Sequence, residues 1–256
     1  MTMNLFSQTD PTNSLEWTWF IANKYSSMFI QGTYLTLYTA VIGTLVGFLL
    51  GYLIGVIQDM KVNPGDNALK KVTVRLLKTV SGAYVEIFRD TPMIVQAMII
   101  YYGLRQANVE MTPVFAGILV TVLNTGAYMA ETVRAGIGSI DIGQREGAYA
   151  MGMSPMKTMI YIVLPQAFKN IIPEMANTFL TNLKMTSVLN VIAVQELFMA
   201  AKTAGGNYYK YFESYLVIAL IYFVLCFIFN KLFIFIEKGM QGSEDYALAV
   251  EYMDNQ

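Results

Sequence analysis

Between Lys24 and Asp59 the chain runs through 34 consecutive residues without a charged side chain. The apolar part of that run, about Thr33 to Ile57, exceeds the roughly 20 residues that a helix needs to cross a hydrocarbon core. Two further uncharged blocks follow, Met111 to Ala130 and Ser214 to Asn230. Only 14% of the residues are charged and 55% are hydrophobic, whereas a soluble domain carries roughly 25% charged residues. The groups that would solvate a large surface are missing. The sequence predicts an all-α polytopic membrane protein.

Two more spans are expected, each interrupted. Val80 to Leu104 holds Glu86, Arg89 and Asp90, and Met175 to Ala201 holds Lys184 and Glu196. The expected total is therefore about five transmembrane helices. The stretch MTMNLFSQTDPTNS at the N-terminus is polar and slightly acidic, unlike the basic start of a secretory signal peptide, so the first span is expected to stay in the membrane.

Lys and Arg fall unevenly between the spans. One side holds eleven, including Lys61, Lys70, Lys71, Arg75 and Lys78, and the other holds four. The richer side is expected in the cytoplasm. This places an extracytoplasmic segment at 1–27, a transmembrane domain at 28–238 and an acidic cytoplasmic tail at 239–256, with the N-terminus outside and the C-terminus inside.

Several function classes are excluded by composition. The chain contains no histidine, which removes histidine-ligated zinc chemistry and Ser-His-Asp triads. One cysteine, Cys226, leaves no disulfide framework and no cysteine-clustered metal site. A net charge of -1 offers no basic excess for nucleic acid. No catalytic or metal-binding set is expected on this chain.

Four local features carry information. Gly43, Gly47, Gly51 and Gly55 recur at four-residue spacing, a smooth stripe for close helix packing within the chain or across a dimer, or alternatively a gate. In Phe88-Arg89-Asp90-Thr91-Pro92 the proline disfavours helix at the residue before it. The charges there either lie near the membrane surface or line a solute pathway in a broken helix. Lys184 either snorkels to the interface or serves that pathway.

The fourth feature is Ser139 to Pro165, SIDIGQREGAYAMGMSPMKTMIYIVLP. Asp141 is placed to cap a helix with Gln144 as its capping-box partner, and Gly152 suits a left-handed C-terminal position. Ser154 then caps a second helix with Pro155 at its first position, which Pro165 is expected to break. A small-residue helix bearing Glu146 outside the bilayer reads as a docking element for a cytoplasmic partner, or as an amphipathic helix on the membrane surface.

These residues resemble a known family. Glu146-Gly147-Ala148-x-x-x-Gly152, with Ile162-Val163-Leu164-Pro165, is similar to the EAA loop of ATP-binding-cassette importer permeases. Phe88-Arg89-Asp90-Thr91-Pro92-Met93-Ile94-Val95-Gln96 resembles the FRxTPxxxQ segment of the polar amino-acid branch. Ala127 to Arg134, Leu164-Pro165-Gln166-Ala167-Phe168 and Leu183-Lys184-Met185-Thr186-Ser187 extend the likeness, which runs from about Gly32 to Lys238.

The resemblance implies a multi-pass permease subunit of a bacterial cell membrane that imports amino acids. It implies two cytoplasmic ATPases, which would hold ATP and Mg, a second permease of the same or homologous sequence, and an extracytoplasmic amino-acid-binding protein. Glu146, Gly147, Ala148, Gly152 and Pro165 would form the coupling element that seats on an ATPase. Arg89, Thr91, Gln96, Lys184, Thr186, Ser187 and Asn190 are the candidates for the substrate pathway. Two positions depart from the pattern. Gly147 replaces alanine, weakening the helix by about 1 kcal/mol, and Met185 replaces an acidic residue, which argues against a cationic substrate. The chain has no G-x-x-x-x-G-K-[ST] phosphate loop, so ATP hydrolysis is expected on other chains. An ion-coupled secondary transporter is the alternative, although the spans hold few acids.

Overall fold

The computed structural model describes residues 11–60, 62 and 64–240. Among them are ten α-helices and no strand. They are α1 (Ser14–Lys24), α2 (Ser26–Asp59), α3 (Ala68–Asp90), α4 (Met93–Gln106) and α5 (Pro113–Gly138). α6 (Ile142–Ala150), α7 (Pro155–Thr158), α8 (Leu164–Met185), α9 (Leu197–Tyr208) and α10 (Tyr211–Met240) complete the set. The expected tail lies outside the described residues beyond Met240.

Three helices are long and apolar enough to cross a bilayer alone: α2, α5 and α10. A fourth span is a bent pair, Pro155–Ile192 with Leu197–Tyr208, turned by 55°. The expected fifth is divided. Its apolar run, Val80 to Leu104, is shared between the second half of α3 and all of α4, with the chain breaking at Thr91–Pro92.

The centre of the bundle is the α2–α5 pair, and the glycine stripe explains it. A Cβ on Gly43 would lie 2.3 Å from Thr121 Cγ2, one on Gly47 would lie 2.6 Å from Thr125 Cβ, and one on Gly51 would lie 2.5 Å from Met129 Cβ. On Gly55 it would meet Val133 Cβ at 2.7 Å. All four glycines therefore serve helix packing within this chain. Where the backbones approach so closely, dispersion contacts accumulate along the full length of the pair. Asn182 of α8 joins the two helices, donating from Nδ2 to Thr44 Oγ1 and Thr125 Oγ1, both at 2.9 Å.

α1 packs at the far end from α6. Its Ile21 is fully buried among Phe29, Leu197 and Ala201, and Lys24 donates to the Tyr208 hydroxyl. Asn13 caps it through Glu16 N. The Thr12 amide donates back to Glu16 and holds that carboxyl below the usual range.

Pro165 does not end the helix that begins at Pro155, contrary to expectation. A π-helical turn, Met159–Val163, precedes α8. Proline lacks an amide and crowds the carbonyl four residues back, and a widened turn just before it relieves both problems. Pro165 thus sits in the first turn of α8 and the helix continues through it.

Candidate functional site

Two places in the fold gather the residues singled out by sequence: the break between α3 and α4, and the short helix α6.

At the break, Pro92 cannot donate an amide, so carbonyls at the end of α3 lose their helical partners. Side chains replace them, from the buried Gln96, the half-buried Asn124 and the exposed Thr91. Gln96 Nε2 lies 2.9 Å from Phe88 O, Thr91 O and Thr91 Oγ1. Asn124 Nδ2, reaching across from α5, lies 3.2 Å from Phe88 O and 3.1 Å from Gln96 Oε1. Thr91 Oγ1 itself donates to Ile87 O at 2.6 Å. The two halves are thereby held in one arrangement without a continuous helix.

In front of this clasp lies an open groove of about 410 Å³, lined by Arg89, Asp90, Pro92, Asn124, Tyr128 and Met185 among others. The first amides of α4 face the break, and a helix N-terminus favours negative charge. The Arg89 guanidinium carbon stands 5.8 Å from the centroid of the Tyr128 ring. Arg89 and Asp90 are both exposed and make no ion pair with each other. One cation, one anion and a set of oriented amides border the same space.

The other pathway candidates are placed differently. Thr91 lines the groove, while Gln96 is buried behind it. Lys184 is exposed at the end of α8. Thr186 is fully buried and donates to Leu183 O. Ser187 and Asn190 bond backbone carbonyls three residues earlier, at 2.8 and 2.6 Å, within the 3₁₀ turn Thr186–Ile192.

Sequence reasoning passed over three polar residues that matter here. Asn124 is the one side-chain amide of α5, and a lone amide in such an apolar run is the signal that could have found it; Asn182 is one of several amides in α8, and nothing local sets it apart. Glu196, which in the sequence only interrupts a span, has a structural role. It is 1% exposed and caps α9, accepting from Phe198 N and Met199 N at 2.8 Å. The Leu197 amide donates to Thr36 Oγ1 at 3.2 Å. Gly32 leaves room for this junction, since a Cβ there would stand 3.0 Å from Leu197 Cα.

α6 forms as its sequence reads. Asp141 Oδ1 accepts from Gly143 N at 2.7 Å. Gly152 has φ 79°, with Met153 N donating to Ala148 O at 3.0 Å and Gly152 N to Tyr149 O at 2.9 Å, the paired bonds of a Schellman cap. Ser154 Oγ accepts from Lys157 N at 3.4 Å. Gln144 is not a capping-box partner; its side-chain oxygen faces Gln166 Nε2 at 3.5 Å.

α6 is joined to the bundle by Arg145. This guanidinium stands 3.5 Å from Asp59 at the end of α2 and donates to Ile137 O of α5 at 3.3 Å. Ala148 is the one residue of α6 that is buried. Glu146 and Gly147 are exposed. Among the described residues, Glu146 forms no ion pair. Among the described residues the helix therefore presents an exposed face with one unpaired acid and is joined to the ends of α2 and α5.

Residues 70–242 match the model of the binding-protein-dependent transport system inner membrane components. The chain belongs to this family. Among its relatives is the probable amino-acid permease protein YxeN of Bacillus subtilis, 33% identical over 231 residues, which cover 89% of this chain and 97% of that protein. The L-cystine transport system permease protein TcyB of the same organism is 38% identical over 168 residues, 65% of this chain and 72% of that one. In structure, the chain superposes on a crystal structure of an amino acid ABC transporter with a TM-score of 0.77 at 33% identity, covering 90% of this chain and 99% of that one. This permease is thus an all-α inner-membrane component of a transport system. Family membership sets aside the ion-coupled secondary transporter.

Proposed function

We propose that this permease is the membrane-spanning subunit of an ATP-driven importer for amino acids, with hydrolysis on partner chains. The observation that carries the substrate class is the groove at the α3–α4 break. An amino acid's backbone is a zwitterion, and Arg89, Asp90 and the N-terminus of α4 border one space with both signs of charge. Relatives named for glutamine, arginine and cystine transport support the same class. No acidic side chain stands beside Lys184 in sequence, which favours a side chain without positive charge.

The partners follow from the same reading. Two ATPases bind ATP and Mg in the cytoplasm, an extracytoplasmic binding protein delivers the amino acid, and a second permease closes the pathway. The N-terminus lies outside and the C-terminus inside, with residues 28–238 as the translocating domain. The exposed Glu146–Gly152 face of α6 seats on an ATPase. Because Arg145 joins α6 to α2 and α5, ATPase movement reaches the central helix pair directly. Alternating access then opens the groove first outward, then inward.

Reconstitution with co-purified partners tests this. Affinity purification of the chain in mild detergent is expected to bring an ATPase and a binding protein. Amino acid with binding protein is expected to stimulate ATP hydrolysis, and Glu146→Lys to abolish that stimulation with the complex still folded. Normal stimulation in that variant would refute the coupling role, and purification without any ATPase would refute the importer.

A further inference from the structure

The chain has two tryptophans, Trp17 and Trp19, and both lie on α1 facing opposite ways. Trp17 and Ile21 turn toward the bundle. Ile21 is fully buried, and the Trp17 ring stands 5.5 Å from that of Tyr208 and 5.1 Å from Lys210 Nζ. Leu15 and Trp19 are four residues apart and each is two residues from Trp17, which puts them together on the far side of the helix. They are 77% and 58% exposed.

The level of this face is set by α10. Ser14 Oγ donates to Glu213 Oε1 at 2.9 Å in the first turn of α10, and the uncharged run of that span begins at the next residue, Ser214. Aromatic rings crowd the same level: Tyr25 packs against Tyr208, and Tyr215 against Tyr211 and Phe198. Lys24 Nζ stands 5.2 Å from the centroid of the Phe20 ring. Tryptophan and tyrosine, with lysine beside them, gather where a bilayer meets water. α1 is held at that level, because Tyr25 N donates to Ile21 O at 3.0 Å and Phe29 N to Tyr25 O at 2.9 Å, carrying helical bonding from α1 into α2.

The polar side chains of α1 turn back onto their own segment. Thr18 Oγ1 donates to Ser14 O and Asn23 Nδ2 to Trp19 O, while Glu16 accepts from Thr12 N and Asn13 Nδ2. What they leave outward is apolar surface, which suits hydrocarbon better than the polar face of a soluble protein.

We infer that α1 is an interfacial helix whose Leu15–Trp19 face lies at the boundary between headgroups and acyl chains, in the leaflet at the α1 end, with Trp19 as its anchor. An amphipathic helix in that plane sinks its apolar face about 5–10 Å into the boundary. Such anchoring is independent of which solute is carried.

The test uses the full chain in phosphatidylcholine nanodiscs, either unbrominated or brominated on the acyl chains close to the headgroup, with acrylamide as the quencher in water. Trp17→Phe leaves Trp19 as the sole indole. Its fluorescence is expected to fall at least about twofold in the brominated nanodiscs and to resist acrylamide. In Trp19→Phe, bromine is expected to quench Trp17 several-fold less, because Trp17 faces the bundle. Should Trp17→Phe fold poorly, the difference between the wild type and Trp19→Phe supplies the Trp19 signal. Three results would overturn the inference. Strong acrylamide quenching of Trp19 without bromine quenching would mark a face open to water or to a soluble partner. Quenching by neither would mark cover by protein, such as a second copy. Equal bromine quenching of both tryptophans would deny α1 a distinct lipid side.

Discussion

Gln96 Nε2 lies 2.9 Å from the carbonyl oxygen of Phe88, across the point where α3 gives way to α4. The bond spans eight residues of sequence and stands where a backbone amide would be if the helix were unbroken. Asn124 approaches the same oxygen from α5 at 3.2 Å. The break is thus a fixed joint whose polar groups are satisfied from within the chain, as an irregular backbone inside a membrane protein must be.

Gln96→Leu keeps similar bulk and removes the donor at Thr91 O, leaves Phe88 O with Asn124 alone, and strips Asn124 of its Gln96 Oε1 partner. An unsatisfied buried acceptor costs about 1–3 kcal/mol, so thermal unfolding in detergent is expected to occur at lower temperature. Transport is expected to fall more than assembly with the ATPases, because the halves of the span lose their set angle. Asn124→Leu leaves Gln96 in place, and a smaller effect of the same kind is expected.

Gly51→Val tests the α2–α5 seam. Even a single methyl on Gly51 would stand 2.7 Å from both Ala130 N and Gly126 O. Backbone atoms cannot swing aside as a side-chain end can, so the helices must part. Overpacking of this kind costs about 1–3 kcal/mol or more, and the yield of folded protein is expected to drop sharply. Gly82→Ala is the control, since a Cβ there meets nothing within 4 Å.

The contrast between these glycines shows what the sequence could carry. The four-residue spacing of Gly43 to Gly55 announced a close seam but not its partner, because a stripe states how near a neighbour comes and not which neighbour it is. Caps were legible in detail: Asp141, Gly152, Ser154 and Pro155 act within a few residues of themselves. Pro165 misled for the complementary reason. A proline states that one hydrogen bond is lost, while the π turn that absorbs the loss lies where Val163 and Ala167 pack against Met129, Val133 and Ile137 of α5, a long-range contact. Gln96 was legible as polar and important, but its role behind the groove depends on Asn124, 28 residues away. Long-range polar pairing has no local period to reveal it.

Gly147→Ala is expected to stabilise α6. Gly147 is exposed in the middle of that helix, and an added Cβ meets nothing within 4 Å. Alanine is better than glycine inside a helix by about 1 kcal/mol. Hydrogen exchange of the α6 amides is expected to slow about fivefold in the purified chain. Stimulated ATPase activity is expected to hold or rise, because a methyl keeps the face small. Its loss would mean that the partner requires the bare backbone at this position.

The Arg145–Asp59 contact offers the sharpest separation of docking from transmission. The two side chains are only 15% and 17% exposed, and their 3.5 Å approach joins α6 to the end of α2. Pairs at this depth fall between surface bridges and fully buried ones, so Arg145→Ala is expected to cost about 1–2 kcal/mol. It leaves Glu146 and the exposed face of α6 unchanged. The ATPase is therefore expected to remain bound in pull-downs while substrate-stimulated hydrolysis and uptake fall together. Asp59→Ala is expected to do the same, and the double variant to be no worse than either alone, as residues acting through one contact behave in a double-mutant cycle. Additive losses would instead assign Arg145 to the docking surface itself.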